Sequence, residues 1–220
     1  MIDKETAKYE RLRLAMVKKQ LEGRGIRDPR VLDAMRQVPR HLFVSEALQD
    51  QTYGDYPLPI GEGQTISQPH IVAEMTQSLK LHSDDRVLEL GTGSGYQAAI
   101  LSRIVAKVYT IERIRSLFQN ARRLFDRLQY HNIVTRYSDG TSGWKEEAPF
   151  DAIMVTAGAR EIPAPIIDQL AMGGRLVAPV GGRHAQELLV LTKTPDGVQI
   201  ENLGGCRFVK LIGEHGGWRE

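Results

Sequence analysis

The 220-residue chain has a single cysteine, Cys206, so no disulfide can form within it. A lone cysteine suits a reducing compartment, and Cys206 is expected to act as a small apolar residue rather than a reactive thiol. Long hydrophobic runs are missing too. No window approaches the ~20 apolar residues of a membrane span. The opening Met1-Ile-Asp-Lys-Glu-Thr-Ala-Lys is charged, without the apolar stretch of a signal peptide. A cytoplasmic protein with no membrane partner is expected. Neither sign of charge dominates: 29 basic and 27 acidic residues leave +2, without the basic excess that a nucleic-acid partner calls for. Six scattered histidines and one cysteine show no ligand spacing, so no metal is expected.

What is present is a hydrophobic content of 41%, enough for one substantial core. One domain over 1–220 is expected, with 1–80 a helical cap and loop and 81–220 an α/β core. Residues 4–22 read as an amphipathic helix with Leu12, Ala15, Met16 and Leu21 on its apolar face, stopping before Gly23 and Gly25. Asp28-Pro29 opens a second helix, with Asp28 as N-cap, that ends near Pro39. Residues 50–66, rich in Gly and Pro, read as an ordered loop, and a helix follows over 68–80. Strand-like runs then occur at 86–90, 107–111, 133–137, 150–156, 174–180 and 187–194, with an extended stretch near 206–212. Helical patterns at 96–105, 114–129, 163–172 and, weakly, 141–147 separate the first five. The alternation predicts an α/β fold: a doubly wound, mostly parallel sheet with an antiparallel edge and an N-terminal helical cap.

The first of these strands ends Val87-Leu-Glu-Leu-Gly-Thr-Gly-Ser-Gly-Tyr96. Gly91, Gly93 and Gly95 allow a tight turn and close backbone approach to a ligand. Tyr96 stands where the dinucleotide fingerprint G-x-G-x-x-G needs its third glycine. An acidic residue two before G-x-G-x-G resembles instead the S-adenosylmethionine loop of Rossmann-like methyltransferases. Glu112 ends the second strand, where a carboxylate can accept both ribose hydroxyls of an adenosine; a solvated Glu paired with Arg113 or Arg115 is the plainer alternative. Asp139-Gly140 ends the third strand and could meet an adenine amino group, or simply form an Asp-Gly turn. The fourth strand ends Thr156-Ala-Gly158, without the Asn/Asp-Pro-Pro-aromatic motif that holds a planar amine in nitrogen methyltransferases. Ser67, ahead of Pro69, is a good N-cap for the helix after it.

Pro57-Leu-Pro-Ile-Gly-Glu-Gly-Gln-Thr-Ile-Ser-Gln-Pro-His70 closely resembles the protein-L-isoaspartate O-methyltransferases. The resemblance continues through Val87–Tyr96, Ile111-Glu-Arg, Asp139-Gly, Phe150–Ala159 and Gly173–Gly181, and spans residues 14 to about 212. One departure is Phe208-Val-Lys210-Leu211, where the family often reads Phe-Val-Pro-Leu. The resemblance implies an S-adenosylmethionine-dependent carboxyl methyltransferase with S-adenosyl-L-homocysteine as product, monomeric, acting on isoaspartyl-containing proteins and peptides. It makes Ser67 the active-site residue. With it, Thr65, Gly91, Gly93, Gly95, Glu112, Asp139 and Gly140 become the expected cofactor contacts. A carboxylate with a pKa of roughly 3.5 is already ionised at neutral pH, which agrees with the lack of an obvious base or triad. Two rivals are a dinucleotide-dependent oxidoreductase, disfavoured by Tyr96, and a non-catalytic binding module, disfavoured by the intact Ser67 segment.

Overall fold

The structure, a computed structural model, describes residues 4–218. Its centre is a seven-stranded sheet built from β3 (Arg86–Leu90), β4 (Lys107–Glu112), β5 (Ile133–Tyr137), β6 (Phe150–Val155), β7 (Leu170–Gly181), β8 (Gln186–Thr194) and β9 (Gly197–Cys206). The order is β5-β4-β3-β6-β7-β8-β9; the first five strands in sequence run parallel and the last two pair antiparallel at one edge. The chain starts at β3, moves outward through β4 and β5, then returns to the other side of β3 as β6. The loops after β3 and β6 therefore diverge and open a crevice at the carboxyl ends of the strands.

Alternation along the strands sends side chains to two separate cores. Val87, Val108, Ala152, Met154 and Val177 face one core, and Leu88, Leu90, Ile111, Ile153 and Val155 the other. Both faces must therefore be covered. Helices α4 (Tyr96–Ser102) and α5 (Arg115–Arg127) cover the first, joined there by α1 (Lys4–Met16), α2 (Pro29–Gln37) and α3 (Pro69–Ser78). The short α6 (Ala164–Asp168) brings Ile166 to the second. Helix α5 shows why it packs: Leu117, Ala121 and Phe125 recur every four residues and are buried. Burial of Leu117 and of Phe125 each stabilises the fold by about 1.5–3 kcal/mol.

Several expectations are met and others corrected. Asp28 caps α2, accepting from the Arg30 N–H at 2.9 Å with Pro29 in the first turn. The first helix passes from α-helical to a π turn over Val17–Leu21 and a 3₁₀ turn over Glu22–Arg24. That change shifts its phase: Tyr9, Met16, Val17 and Leu21 are buried, while Leu12 and Ala15 are exposed. Residues 50–66 are not all loop. They hold a hairpin of β1 (Leu58–Gly61) and β2 (Gln64–Ile66), turned by Glu62 and Gly63 with φ of 54° and 66°. Positive φ at both central residues makes this the hairpin turn that matches strand twist. The final strand runs over Gly197–Cys206, before the stretch expected near 206–212. Cys206 is half-buried, and burial pushes its thiol up to about 11. No helix among the described residues is long and apolar enough to cross a membrane.

Candidate active site

Register places the functional groups at one level. Leu90 pairs with Ile111 on one side and Val155 on the other, so the glycine loop, Glu112 and Thr156 meet at the same edge of the sheet. Gly91, Gly93 and Gly95 have φ of 101°, 52° and 87°. A Cβ on Gly91 would stand 2.5 Å from the Thr156 Oγ1, and one on Gly95 would stand 2.7 Å from the Phe125 ring. Only glycine fits these positions. Gly93 differs: the nearest atom to its Cβ position is Ile60 Cδ1 at 3.5 Å.

The loop's donors are largely used within the chain. Gly91 and Thr92 N–H donate to the Ile111 carbonyl at 2.9 and 3.2 Å, and Gly95 N–H to Thr92 at 2.8 Å. Gly93 N–H donates to Glu112 Oε2 at 2.8 Å, and Ile114 N–H to Oε1 at 2.8 Å. Glu112, 5% exposed, thus braces the loop. A carboxylate has about four acceptor sites, which leaves two directed elsewhere. The loop offers a ligand close approach more than free amides.

Glu89 lies beneath the loop with no exposed surface. Thr110 Oγ1 donates to its Oε2 at 2.5 Å and is itself 2.6 Å from Thr92 Oγ1. Its other oxygen, Oε1, has no hydrogen-bond partner among the described residues. Burial pushes its pKa up to about 8, with the Thr110 hydrogen bond opposing the rise and the neighbouring Glu112 charge adding to it.

The cleft opposite the loop is walled by Gln64–Ser67 of the β2–α3 segment, by Glu112, Gly140 and Thr156, and by residues 209–212 of the C-terminal segment. Thr65, Ser67, Gly91, Gly93, Glu112 and Gly140 are therefore brought together. Gly95 and Asp139 are not in this wall. Gly95 is instead the N-cap residue of α4, and a Cβ on it would strike the Phe125 ring. Asp139 Oδ1 accepts from the Thr141 N–H and hydroxyl at 2.8 Å each, and Oδ2 from the Glu214 N–H at 2.9 Å. It ties the C-terminal segment to the end of β5.

Ser67 corrects the sequence reading in one respect. Helix α3 starts at Pro69 with Gln68 as N-cap and no side-chain cap bond. The Ser67 hydroxyl makes no hydrogen bond among the described residues, so it is left free on the cleft wall. Lys210 is exposed, and its segment is fixed by backbone bonds: Gly158 N–H to the Val209 carbonyl at 2.7 Å and Leu211 N–H to the Gly158 carbonyl at 2.8 Å. The Lys210 N–H takes no part in that pairing, so a residue without an N–H at this position would break neither bond.

Solved structures share this fold. A solved protein-L-isoaspartate O-methyltransferase superposes with a TM-score of 0.82 at 29% identity, covering 94% of this chain and 66% of its own. The family model described as protein-L-isoaspartate(D-aspartate) O-methyltransferase matches residues 12–216. The chain belongs to this family. The protein-L-isoaspartate O-methyltransferase of Desulfosudis oleivorans is 66% identical over all of this chain and 99% of its own length. That of Syntrophus aciditrophicus is 58% identical over 95% of this chain and 97% of its own. A solved Plasmodium falciparum structure, described as a putative family member in complex with S-adenosyl-L-homocysteine, has a TM-score of 0.79 at 29% identity. It covers 91% of this chain and 98% of its own.

Groups that the sequence reading did not single out include Thr110 and Thr92 behind the loop, the Thr156 hydroxyl, and Arg40. Thr156 Oγ1 lies 2.9 Å from the Leu90 carbonyl and 2.7 Å from that of Gly91, stapling the loop to the end of β6. Threonine at a strand end gives no signal of such a role. Among the described residues no group of three His, Cys, Asp or Glu side chains could hold a metal ion.

Proposed function

We propose that this chain methylates the free α-carboxylate of L-isoaspartyl residues in damaged proteins and peptides, drawing on S-adenosylmethionine and starting a repair that proceeds through a succinimide. The observation that carries the reading is Ser67: a free hydroxyl on the wall of the cleft that holds the glycine loop and Glu112. The residues fit the cosubstrate. Gly91 and Gly93 line the cleft, and a Cβ on Gly91 would strike the Thr156 hydroxyl, so glycine keeps the loop's tight course along that wall. The two uncommitted acceptor sites of Glu112 suit vicinal ribose hydroxyls, with Thr65 and Gly140 in the same wall. Gly95 and Asp139 support the site by shaping the loop and by holding the C-terminal segment over it. S-adenosylmethionine supplies an electrophilic methyl on a sulfonium, and the products are the methyl ester and S-adenosyl-L-homocysteine.

The residues need only bind and orient. No histidine or carboxylate is hydrogen-bonded to Ser67 among the described residues, so nothing activates it as a nucleophile. Its hydroxyl can donate to an acceptor that arrives as an anion, and no proton has to be removed. Alignment of such a carboxylate in a closed cleft can contribute on the order of 7–11 kcal/mol. Incubation with S-adenosylmethionine and a synthetic isoaspartyl peptide tests the reading. A base-labile methyl ester on the peptide, seen by mass spectrometry, is expected; an unmodified peptide with a folded enzyme that binds S-adenosyl-L-homocysteine contradicts it.

A further inference from the structure

Arg40 heads the fully buried side chains by volume, with no exposed surface. It stands on the 3₁₀ turn Arg40–Phe43 that follows α2. Its Nε donates to the Thr52 carbonyl at 2.7 Å and its Nη2 to the Ser67 carbonyl at 2.7 Å. Its guanidinium carbon lies 4.9 Å from the centre of the Tyr96 ring. Tyr96 is the first residue of α4 and, like Ser67, part of the cleft wall. Among the described residues no carboxylate pairs with Arg40, and its Nη1 is buried with no hydrogen-bond partner.

A buried cation with no direct ion pair is costly to fold, here with the Asp55 charge offsetting part of that cost. Two carbonyls and an aromatic face could be met by neutral groups. What arginine adds is a rigid planar fork that bonds two separate segments at once and stacks on a ring. Ser67 needs such a hold. It lies between β2 and α3, caps neither element with its side chain, and has a hydroxyl with no partner among the described residues.

We propose that Arg40 is a positioning residue of the methyl-transfer site: by clamping the Ser67 carbonyl against Tyr96 it fixes where the Ser67 hydroxyl stands in the cleft. Arg40 is absent from the cleft wall and so acts through Ser67. The proposal rests on the role given to Ser67 above, and the test separates the two. Four proteins are compared: wild type, Ser67→Ala, Arg40→Lys and the double variant. Each is measured for kcat and KM on an isoaspartyl peptide, for S-adenosyl-L-homocysteine affinity by calorimetry, and for thermal melting. Lysine keeps the cation but carries its donors on a single nitrogen and lacks the fork.

Arg40→Lys is expected to lower kcat roughly 10- to 100-fold, the scale of a small misplacement. S-adenosyl-L-homocysteine affinity should stay within about threefold, and the double variant should be no slower than the slower single one. A hydroxyl already removed loses nothing by being misplaced. Wild-type kcat in Arg40→Lys, losses that multiply in the double variant, or a loss confined to S-adenosyl-L-homocysteine affinity would each overturn the proposal. If Arg40→Lys does not fold, Arg40→Gln takes its place in the same cycle. Failure of both to fold would mark Arg40 as purely structural and overturn it as well. Full activity in Ser67→Ala would instead sink the Ser67 role itself, whatever Arg40 does.

Discussion

At the scale of single residues, what each side chain is already bonded to decides what it can do for a ligand. The Ser67 hydroxyl has no partner among the described residues, so Ser67→Ala should leave stability within about 0.5 kcal/mol of wild type. It should lower kcat on isoaspartyl peptide while S-adenosyl-L-homocysteine affinity holds; a thermal melt, calorimetry and kinetics on one preparation check all three. Glu112 is half committed, to Gly93 and Ile114. Glu112→Gln removes a charged acceptor and should weaken S-adenosyl-L-homocysteine binding by roughly 1.5–3 kcal/mol. Unchanged affinity by calorimetry would take Glu112 out of the ribose role and leave it a brace. Glu89 makes a prediction in pH. Its folded pKa is raised to about 8 from 4.5, chiefly by burial. The folded state therefore binds the extra proton between those values, and stability is lost as pH rises through that window. Glu89→Gln should melt close to wild type at a pH of about 4.5 and gain on it steadily toward 8. A constant difference across that range would show that Glu89 is ionised when folded.

At the scale of elements, the glycine loop and the hairpin beside it behave differently under substitution. Gly91→Ala and Gly95→Ala combine positive φ with a clash, at 2.5 Å on Thr156 and 2.7 Å on Phe125. Gly93→Ala meets only an ordinary contact with Ile60 Cδ1 at 3.5 Å and carries left-handed strain of about 1–2 kcal/mol. Chemical denaturation should therefore rank Gly93→Ala as the mildest of the three; an equal loss in all three would mean the loop adapts. The glycine pattern was legible in sequence because its reason is local. The hairpin was not: Pro57, Pro59, Gly61 and Gly63 read as loop punctuation, and its strands have only four and three residues. Strand β9 escaped because most of it is exposed, so no burial imposes a period on it; pairing with β8 makes it a strand. The cap assigned to Ser67 was a local rule overridden when the chain began α3 two residues later, at Pro69. Arg40 could not be found in sequence at all, since Thr52, Ser67 and Tyr96 reach it only through the fold.

At the scale of the molecule, the return of the chain from β5 to β6 places the crevice, and the C-terminal segment pinned by Gly158 and Asp139 covers part of it. That topology and the parallel core were readable from the alternation of strands and helices, because burial on both faces imposes near-continuous apolar strands. Family membership joins this frame to a reaction in which the acceptor is an anion and the protein supplies orientation rather than a base. The most direct test is methyl transfer from S-adenosylmethionine to two peptides identical except for one linkage, isoaspartyl in one and aspartyl in the other. Methyl ester should accumulate on the isoaspartyl peptide far faster than on its partner, without added metal. Equal rates on the two peptides would contradict the account.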